Sequence, residues 1–243
     1  MAQPTYLFVS DLHLAAESPA AVAQFAAFLD HEAREADALY ILGDLFETWI
    51  GDDDDEPVRR QVCAALKAYT AHTPAYVMCG NRDFLYGPGF ERLTGCTLLP
   101  DPLLLEDGEL RALVTHGDLL CTDDHNYQEL RSIFREPLWQ KRFLALPLSA
   151  RRGLADATRS GSQQHTRSTM RSIMDVNEAA VFAAFRASGT TLLIHGHTHR
   201  PGVHRYELDD VTCTRIVLGD WYDQGSCLRL NGDGSFELLE LKR

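Results

Sequence analysis

The sequence predicts an α/β domain carrying one helical insertion, and three observations lead to that expectation. Short apolar runs alternate with amphipathic helical stretches from Thr5 to Gly80, the pattern of a sheet with helices packed on it. The chain has 243 residues, long for one small domain and short for two large ones. Between Asp124 and Arg171 the charge reverses: nine Arg or Lys stand against four Asp or Glu, a local +5 in a chain of net charge −12, so the remainder carries −17.

Thr5–Ser10 (TYLFVS) is β-branched and aromatic and reads as a buried strand. Pro19 opens a helix that places Val22, Phe25, Phe28 and Leu29 on one face. Ala38–Gly43 is a second strand, Pro57–Ala71 a second helix with Val62, Leu66 and Tyr69 inward, and Ala75–Gly80 a third strand. Leu103–Leu105 and Leu110–His116 flank Asp107-Gly108, a hairpin signal. From Asp124 to about Met174 the pattern is helical, basic and aromatic. Asn177–Ala187 is a further helix and Thr191–Gly196 a further strand. The tail alternates strand-like runs around turns such as Asn231-Gly232-Asp233-Gly234, which suggests a second, more antiparallel sheet against the first.

Composition narrows the function classes. Net charge −12 lacks the basic face of a general nucleic-acid binder. The six cysteines form no C-x-x-C pair and no disulfide framework, so they read as reduced thiols of a cytoplasmic protein. The N-terminus has no basic region followed by an apolar run, and no stretch approaches a membrane span, so a soluble or peripheral protein is expected.

Five short motifs carry the chemistry, each just after a predicted strand: Asp11-Leu12-His13, Gly43-Asp44, Gly80-Asn81-Arg82-Asp83, His116-Gly117-Asp118 and His195-Gly196-His197-Thr198-His199. Each has a bland reading. D-x-H is commonly a turn with a surface histidine, Asp44 suits a helix N-cap, and Gly-Asn suits a turn. Taken together they offer Asp11, His13, Asp44, Asn81, His116, His195 and His197 as ligands. With the two oxygens of Asp44 bridging, that is about four protein ligands per ion for a pair of divalent cations. Mixed nitrogen and oxygen ligation without cysteine argues against structural zinc, and Mn(II) is the first choice. His199 is left to orient a ligand or to do nothing.

In this order, D-x-H, G-D, G-N-[HR]-[DE], H-G and G-H-x-H resemble the calcineurin-like metallophosphoesterases over residues 11–199. That resemblance implies a four-layer α/β/β/α sandwich. The strings GDLFETWIGDDD, GNRDFL, THGDLLCTDDHNYQELR, IMDVN and IHGHTHRP look like those of the UDP-2,3-diacylglucosamine hydrolases of lipid A biosynthesis. The implied activity is hydrolysis of the diphosphate to UMP and 2,3-diacylglucosamine 1-phosphate by water activated between two metals, at the cytoplasmic face of the inner membrane, by a monomer. Asn81, Arg82 and His116 are then the candidate catalytic residues. Asn81, Arg82, Asp124, Ser160, Gln164, Arg167 and His195 are the implied substrate contacts. Many members of the superfamily carry His where this chain has Arg82. Arg is no general acid near neutral pH, so a leaving group that needs no proton, such as a phosphate monoester, is favoured.

The insertion at about 124–174 adds Tyr127, Phe134, Trp139 and Phe143 to its basic residues. Apolar plus basic suits a lid that lines an acyl pocket and meets anionic headgroups. The plainer reading is a helical hairpin with a private core. Two rival functions stay open: a soluble nucleotide pyrophosphohydrolase, and a non-catalytic interaction domain. The acidic run Asp52–Glu56 reads as a solvated loop.

Overall fold

In chain order the elements of the computed structural model are β1 (Thr5–Val9), α1 (Pro19–Asp30), β2 (Ala38–Leu42), α2 (Pro57–Thr70), β3 (Ala75–Met78), α3 (Pro88–Thr94) and β4 (Thr97–Leu99). There follow β5 (Leu103–Asp107), β6 (Leu110–Thr115), α4 (His125–Phe134), α5 (Pro137–Leu144), α6 (Leu148–Ser168) and α7 (Glu178–Ser188). The chain ends with β7 (Leu192–His195), β8 (Gly202–Leu208), β9 (Val211–Val217), β10 (Gly225–Asn231) and β11 (Phe236–Leu241). The structure describes residues 3–168 and 175–241, with side chains described for 3–159 and 175–241.

Local chemistry starts and stops the helices near where the pattern predicts. Proline occupies the first turn of α1, α2, α3 and α5, where its missing N–H costs nothing. Glu56, Asp124, Glu136 and Asn177 accept from backbone N–H groups of the turns they cap. α3 and α7 end on Gly95 and Gly189 in the left-handed conformation.

Two sheets face each other. One runs β11-β10-β1-β2-β3-β4 and the other β5-β6-β7-β9-β8. β1 to β4 are parallel, as are β6, β7 and β9. The period-two alternation of a strand buried on both faces decides the layering. Leu7 and Val9 of β1 point to the helices, where they meet Phe25, Phe28 and Leu66. Tyr6 and Phe8 point the other way and pack with Val114, Ile194 and Ile216 of the second sheet. Beyond that sheet, Leu113 and Leu193 pack against Val181 and Phe185 of α7. Helices, sheet, sheet, helix: the expected four-layer α/β/β/α sandwich is present.

Two sequence expectations need correction. The tail does not make a sheet of its own: β8 and β9 join the second sheet, while β10 and β11 extend the first, β10 antiparallel to β1. Alternation places a strand's faces but not its neighbours. The acidic run is not a solvated loop either. Asp52 accepts from the Trp49 indole and from the Gly87 and Gly89 amides. Asp53 pairs with Arg151, and buried Asp54 pairs with Arg59 and Arg152. The like charges each find a partner, and two of the cations come from α6, so this loop fastens the insertion to the body. α3 and β4 were not foreseen, because seven and three residues are too short to show a period.

Removing one partner of a buried ion pair costs about 3–5 kcal/mol. Asp54→Ala is therefore expected to lower the urea unfolding free energy by about that amount. Asp55→Ala, whose side chain is 75% exposed beside Arg152, should cost under about 1 kcal/mol. Equal small losses would show that Asp54 anchors nothing.

Candidate metal centre

The five motifs occupy the carboxyl ends of β1, β2, β3, β6 and β7, at the shared edge of the two sheets. Backbone bonds lace the loops together: Asp11 N–H to Gly43 O at 3.1 Å, His13 N–H to Asp44 O at 2.9 Å, and Gly196 N–H to His116 O at 2.9 Å. The approach is close enough to require glycine at two points. A Cβ on Gly80 would stand 2.1 Å from Asp44 Oδ1, and one on Gly196 would stand 2.1 Å from Ser10 Oγ. Among the described residues seven non-glycines have positive φ, and five of them are Asp11, His13, Asp44, His197 and His199. Left-handed backbone at such residues is costly, and it persists where surrounding structure over-determines it, commonly at functional sites.

Side chains of Asp11, His13 and His199 form one group of potential metal ligands, and those of Asp11, Asp44 and His116 a second, each with ligand atoms within 4.8 Å of one another. Asn81 Oδ1 lies 2.9 Å from both His116 Nε2 and His197 Nδ1. Ring orientation sorts the histidines. His116 turns Nδ1 to the Leu42 carbonyl at 2.9 Å and Nε2 inward, 3.9 Å from Asp44. His199 turns Nδ1 to Asp220 at 3.2 Å and Nε2 to Asp11 at 3.4 Å. His13 has Glu47 at 2.9 Å from Nδ1, with Nε2 3.8 Å from Asp44. An outer acceptor on one nitrogen fixes the tautomer that leaves the other nitrogen free to bind a metal.

His195 departs from this pattern, which argues against its place in the expected ligand set. Its Nδ1 is 2.8 Å from the Gly196 carbonyl and its Nε2 is 3.0 Å from Arg215 Nη1. Both ring nitrogens are engaged away from the cluster, and its backbone lacks the left-handed conformation that His197 and His199 share. The structure brings His199 to Asp11 and His13 instead. The D-x-H and H-T-H spacings are alike, and that i, i+2 symmetry was the sequence signal for His199.

The electrostatics suit a cation. Asp11, Asp44, Asp83 and Asp118 are all buried. Burial alone would depress the His116 pKa, but Asp44, Asp118, Asp11 and Asp101 override it and push it up to about 9. Burial likewise opposes protonation of His199, and Asp11 and Asp220 raise it to about 10. By contrast, burial and then Arg215 hold His195 down near 3. Asp11 Oδ1 and Asp118 Oδ1 are buried without a hydrogen-bond partner. Buried anionic oxygen without a partner is costly, and at Asp11, which belongs to both ligand groups, divalent cations would relieve it. The residues present fit a metal pair.

Other predicted positions are placed as follows. Arg82 donates its backbone N–H to Asp44 at 2.8 Å, while its Nε is buried without a partner. Asp124 is buried and caps α4, accepting from Tyr127 N–H at 3.1 Å. Ser160, Gln164 and Arg167 fall outside the described side chains. Sequence reading missed the tie between α4 and the site. Tyr127 and Arg131 reach Asp118 at 2.6 and 2.7 Å, and Arg135 reaches the Gly80 carbonyl at 2.9 Å. Their four-residue spacing, one helix face, was the available signal. Asp83 was also missed. Burial and then Asp44 raise its pKa to about 6, and it accepts from the amides of Gly80, Asp44 and Phe46 and from Tyr86.

The sequence profile of the calcineurin-like phosphoesterases matches residues 4–201. The chain belongs to the calcineurin-like phosphoesterases. It is 50% identical over 228 residues to a UDP-2,3-diacylglucosamine hydrolase of Escherichia coli O81 (strain ED1a), covering 93% of this chain and 95% of that protein. A protein of the same name from Shigella boydii serotype 18 (strain CDC 3083-94 / BS512) is 49% identical with the same coverage. Among solved structures, an archaeal phosphodiesterase aligns with 98% of this chain and 99% of its own at TM-score 0.48 and 13% identity. As a calcineurin-like phosphoesterase the chain has a basis for the stacked carboxylates and imidazoles at its sheet edge. Among the described residues, no helix is long and apolar enough to cross a membrane.

Two substitutions separate the paired histidines. His199→Ala is expected to weaken Mn(II) binding by at least about 10-fold, and His195→Ala to weaken it far less. Calorimetric titration of the metal-free protein measures both. The reverse order would return His195 to the ligand set.

Proposed function

We propose that this chain hydrolyses the diphosphate bond of UDP-2,3-diacylglucosamine, giving UMP and 2,3-diacylglucosamine 1-phosphate. One observation carries the lipid part of this reading: a cavity of about 540 Å³ opens beside Asn81 and Arg82 and is walled by apolar side chains. Phe84 and Leu85 come from the body of the protein, and Phe134, Trp139 and Phe143 from the insertion. The aromatic wall is continuous, with Phe84 stacked on Phe134 at 5.9 Å, Phe134 against Trp139 at 4.8 Å, and Trp139 on Phe143 at 5.1 Å. A soluble nucleotide would gain little from such a wall. The names of the relatives at about 50% identity point to the same substrate.

Asp11, His13, Asp44 and His199 would hold one cation, and Asp44, Asn81, His116 and His197 the other, with Mn(II) suited to both sets. Bound there, the ions supply Lewis-acid stabilisation of phosphoryl oxygens and make water more acidic. The protein's own groups do the rest. Arg82 stands beside Asp44 with a buried, unpaired Nε–H, a fixed cation for an oxygen that gains charge in the transition state. The outer acceptors Leu42 O and Asp220 keep His116 and His199 in one tautomer. Because Arg82 cannot give up a proton near neutral pH, the leaving group must depart as a phosphate anion, as either half of a diphosphate does.

The outer face of the insertion supports peripheral contact with a membrane. Leu130, Ile133, Leu138 and Leu144 are exposed on the insertion, a segment whose sequence carries a local +5. Exposed apolar side chains on a segment of net positive charge suit an anionic leaflet. The complete ligand set disfavours a non-catalytic interaction domain.

The test is turnover of UDP-2,3-diacylglucosamine beside UDP-glucosamine, with Mn(II). Each buried methylene contributes about 0.8 kcal/mol, so the acylated substrate should lead by orders of magnitude in kcat/KM. Phe134→Ser and Trp139→Ser should collapse that ratio while sparing a small generic phosphodiester. Equal loss on both substrates, in folded protein, would remove the acyl site from this cavity. Arg82→Ala should cost about 100- to 1000-fold in rate with both metals retained, and a near-native rate would make Arg82 structural.

A further inference from the structure

Glu47 lies three residues past Asp44 and reaches two places at once. Its Oε2 is 2.9 Å from His13 Nδ1, and its Oε1 is 3.3 Å from Arg159 Nε on α6. The carboxylate is 13% exposed and the His13 side chain 3%, so neither can exchange the contact freely for water. His13 Nδ1 makes no well-directed hydrogen bond, and the Glu47 oxygen stands close but off the N–H axis. Catalytic contacts of this kind often tighten only when the site is filled. Arg159, with Glu47, also lines the apolar cavity. α6 is already clamped to the same loop by Arg151 on Asp53 and Arg152 on Asp54.

We infer that Glu47 is a positioning residue that couples the insertion to the metal centre, with Arg159 as its other end. The carboxylate holds His13 as the Nδ1–H tautomer, so that Nε2 faces Asp11 and Asp44. Arg159 holds the carboxylate in the rotamer that does this. The two contacts share one side chain, so seating α6 over the cavity and orienting His13 assist each other. Linkage makes the coupling reciprocal: whatever Arg159 adds to metal affinity, metal adds to the seating of α6. His116 and His199 obtain their outer acceptors from a backbone carbonyl and from Asp220. His13 alone of these three depends on an acceptor that the insertion also grips.

This inference rests on the proposed metal centre, and the experiment separates the two. Mn(II) is titrated calorimetrically into metal-free wild type, Glu47→Gln, Glu47→Ala, Arg159→Met and the Glu47→Ala/Arg159→Met double variant, with Tm of each metal-free protein measured alongside. Loss of an outer-shell partner typically costs 10- to 100-fold in metal affinity. Glu47→Ala should fall in that range, and Glu47→Gln, which keeps an acceptor oxygen, should recover part of it. Arg159→Met should weaken Mn(II) several-fold although it touches no ligand, and the double variant should be no weaker than Glu47→Ala. Wild type that binds no metal would overturn the metal centre itself. Wild type that binds metal, with Arg159→Met unchanged in affinity and altered only in KM, would overturn the coupling. So would additive losses in the double variant.

Discussion

Buried negative charge at the seam of two sheets is the constraint on which the rest of this structure depends. Asp11, Asp44, Asp83 and Asp118 sit behind the carboxyl ends of β1, β2, β3 and β6, with almost no access to water. An isolated carboxylate there would be expensive, so donors and cations gather around these four. Amides of Gly80, Asp44 and Phe46 serve Asp83, the Arg82 and His197 amides serve Asp44 and Asp11, and Arg131 with Tyr127 serves Asp118. The left-handed backbone at five of its residues and the glycines against Asp44 and Ser10 are consequences of bringing five loops so close.

The insertion is part of this arrangement rather than an appendage. α4 ties Asp118 and the Gly80 carbonyl through one face of three side chains, and α6 grips the loop after β2 through three arginines. Both helices therefore act on loops that carry candidate ligands. The cavity between insertion and body, and its mouth at Asn81 and Arg82, takes its shape from those ties. A shift of α6 would move Leu154 and Ala155 at the cavity together with Arg159, the partner of Glu47.

Much of this was legible in the chain itself. The strands, most helices and the five motifs can be read from period, proline and glycine placement, because these depend on neighbours a few residues away. The motif set points to a metal pair because carboxylates and imidazoles after successive parallel strands must emerge on one edge. The acidic run Asp52–Glu56 shows the limit of such reading. Its charges look unpartnered in sequence, yet Asp53 and Asp54 find Arg151 and Arg152 on α6, 98 residues away.

By itself, then, the sequence determined the layered α/β architecture, the edge on which the chemistry lies, and nearly all the side chains that meet there. The tertiary structure decided which nitrogen of each histidine faces inward, and so favours His199 over His195 in the proposed ligand set. It also distributed the tail between the two sheets and gave Glu47, Asp83 and Asp118 their partners. The reason is physical. Period and turn chemistry are local and survive in one dimension, whereas an imidazole's orientation is set by whichever acceptor packs against its far side. For His195 that neighbour is Arg215, on the adjacent strand β9.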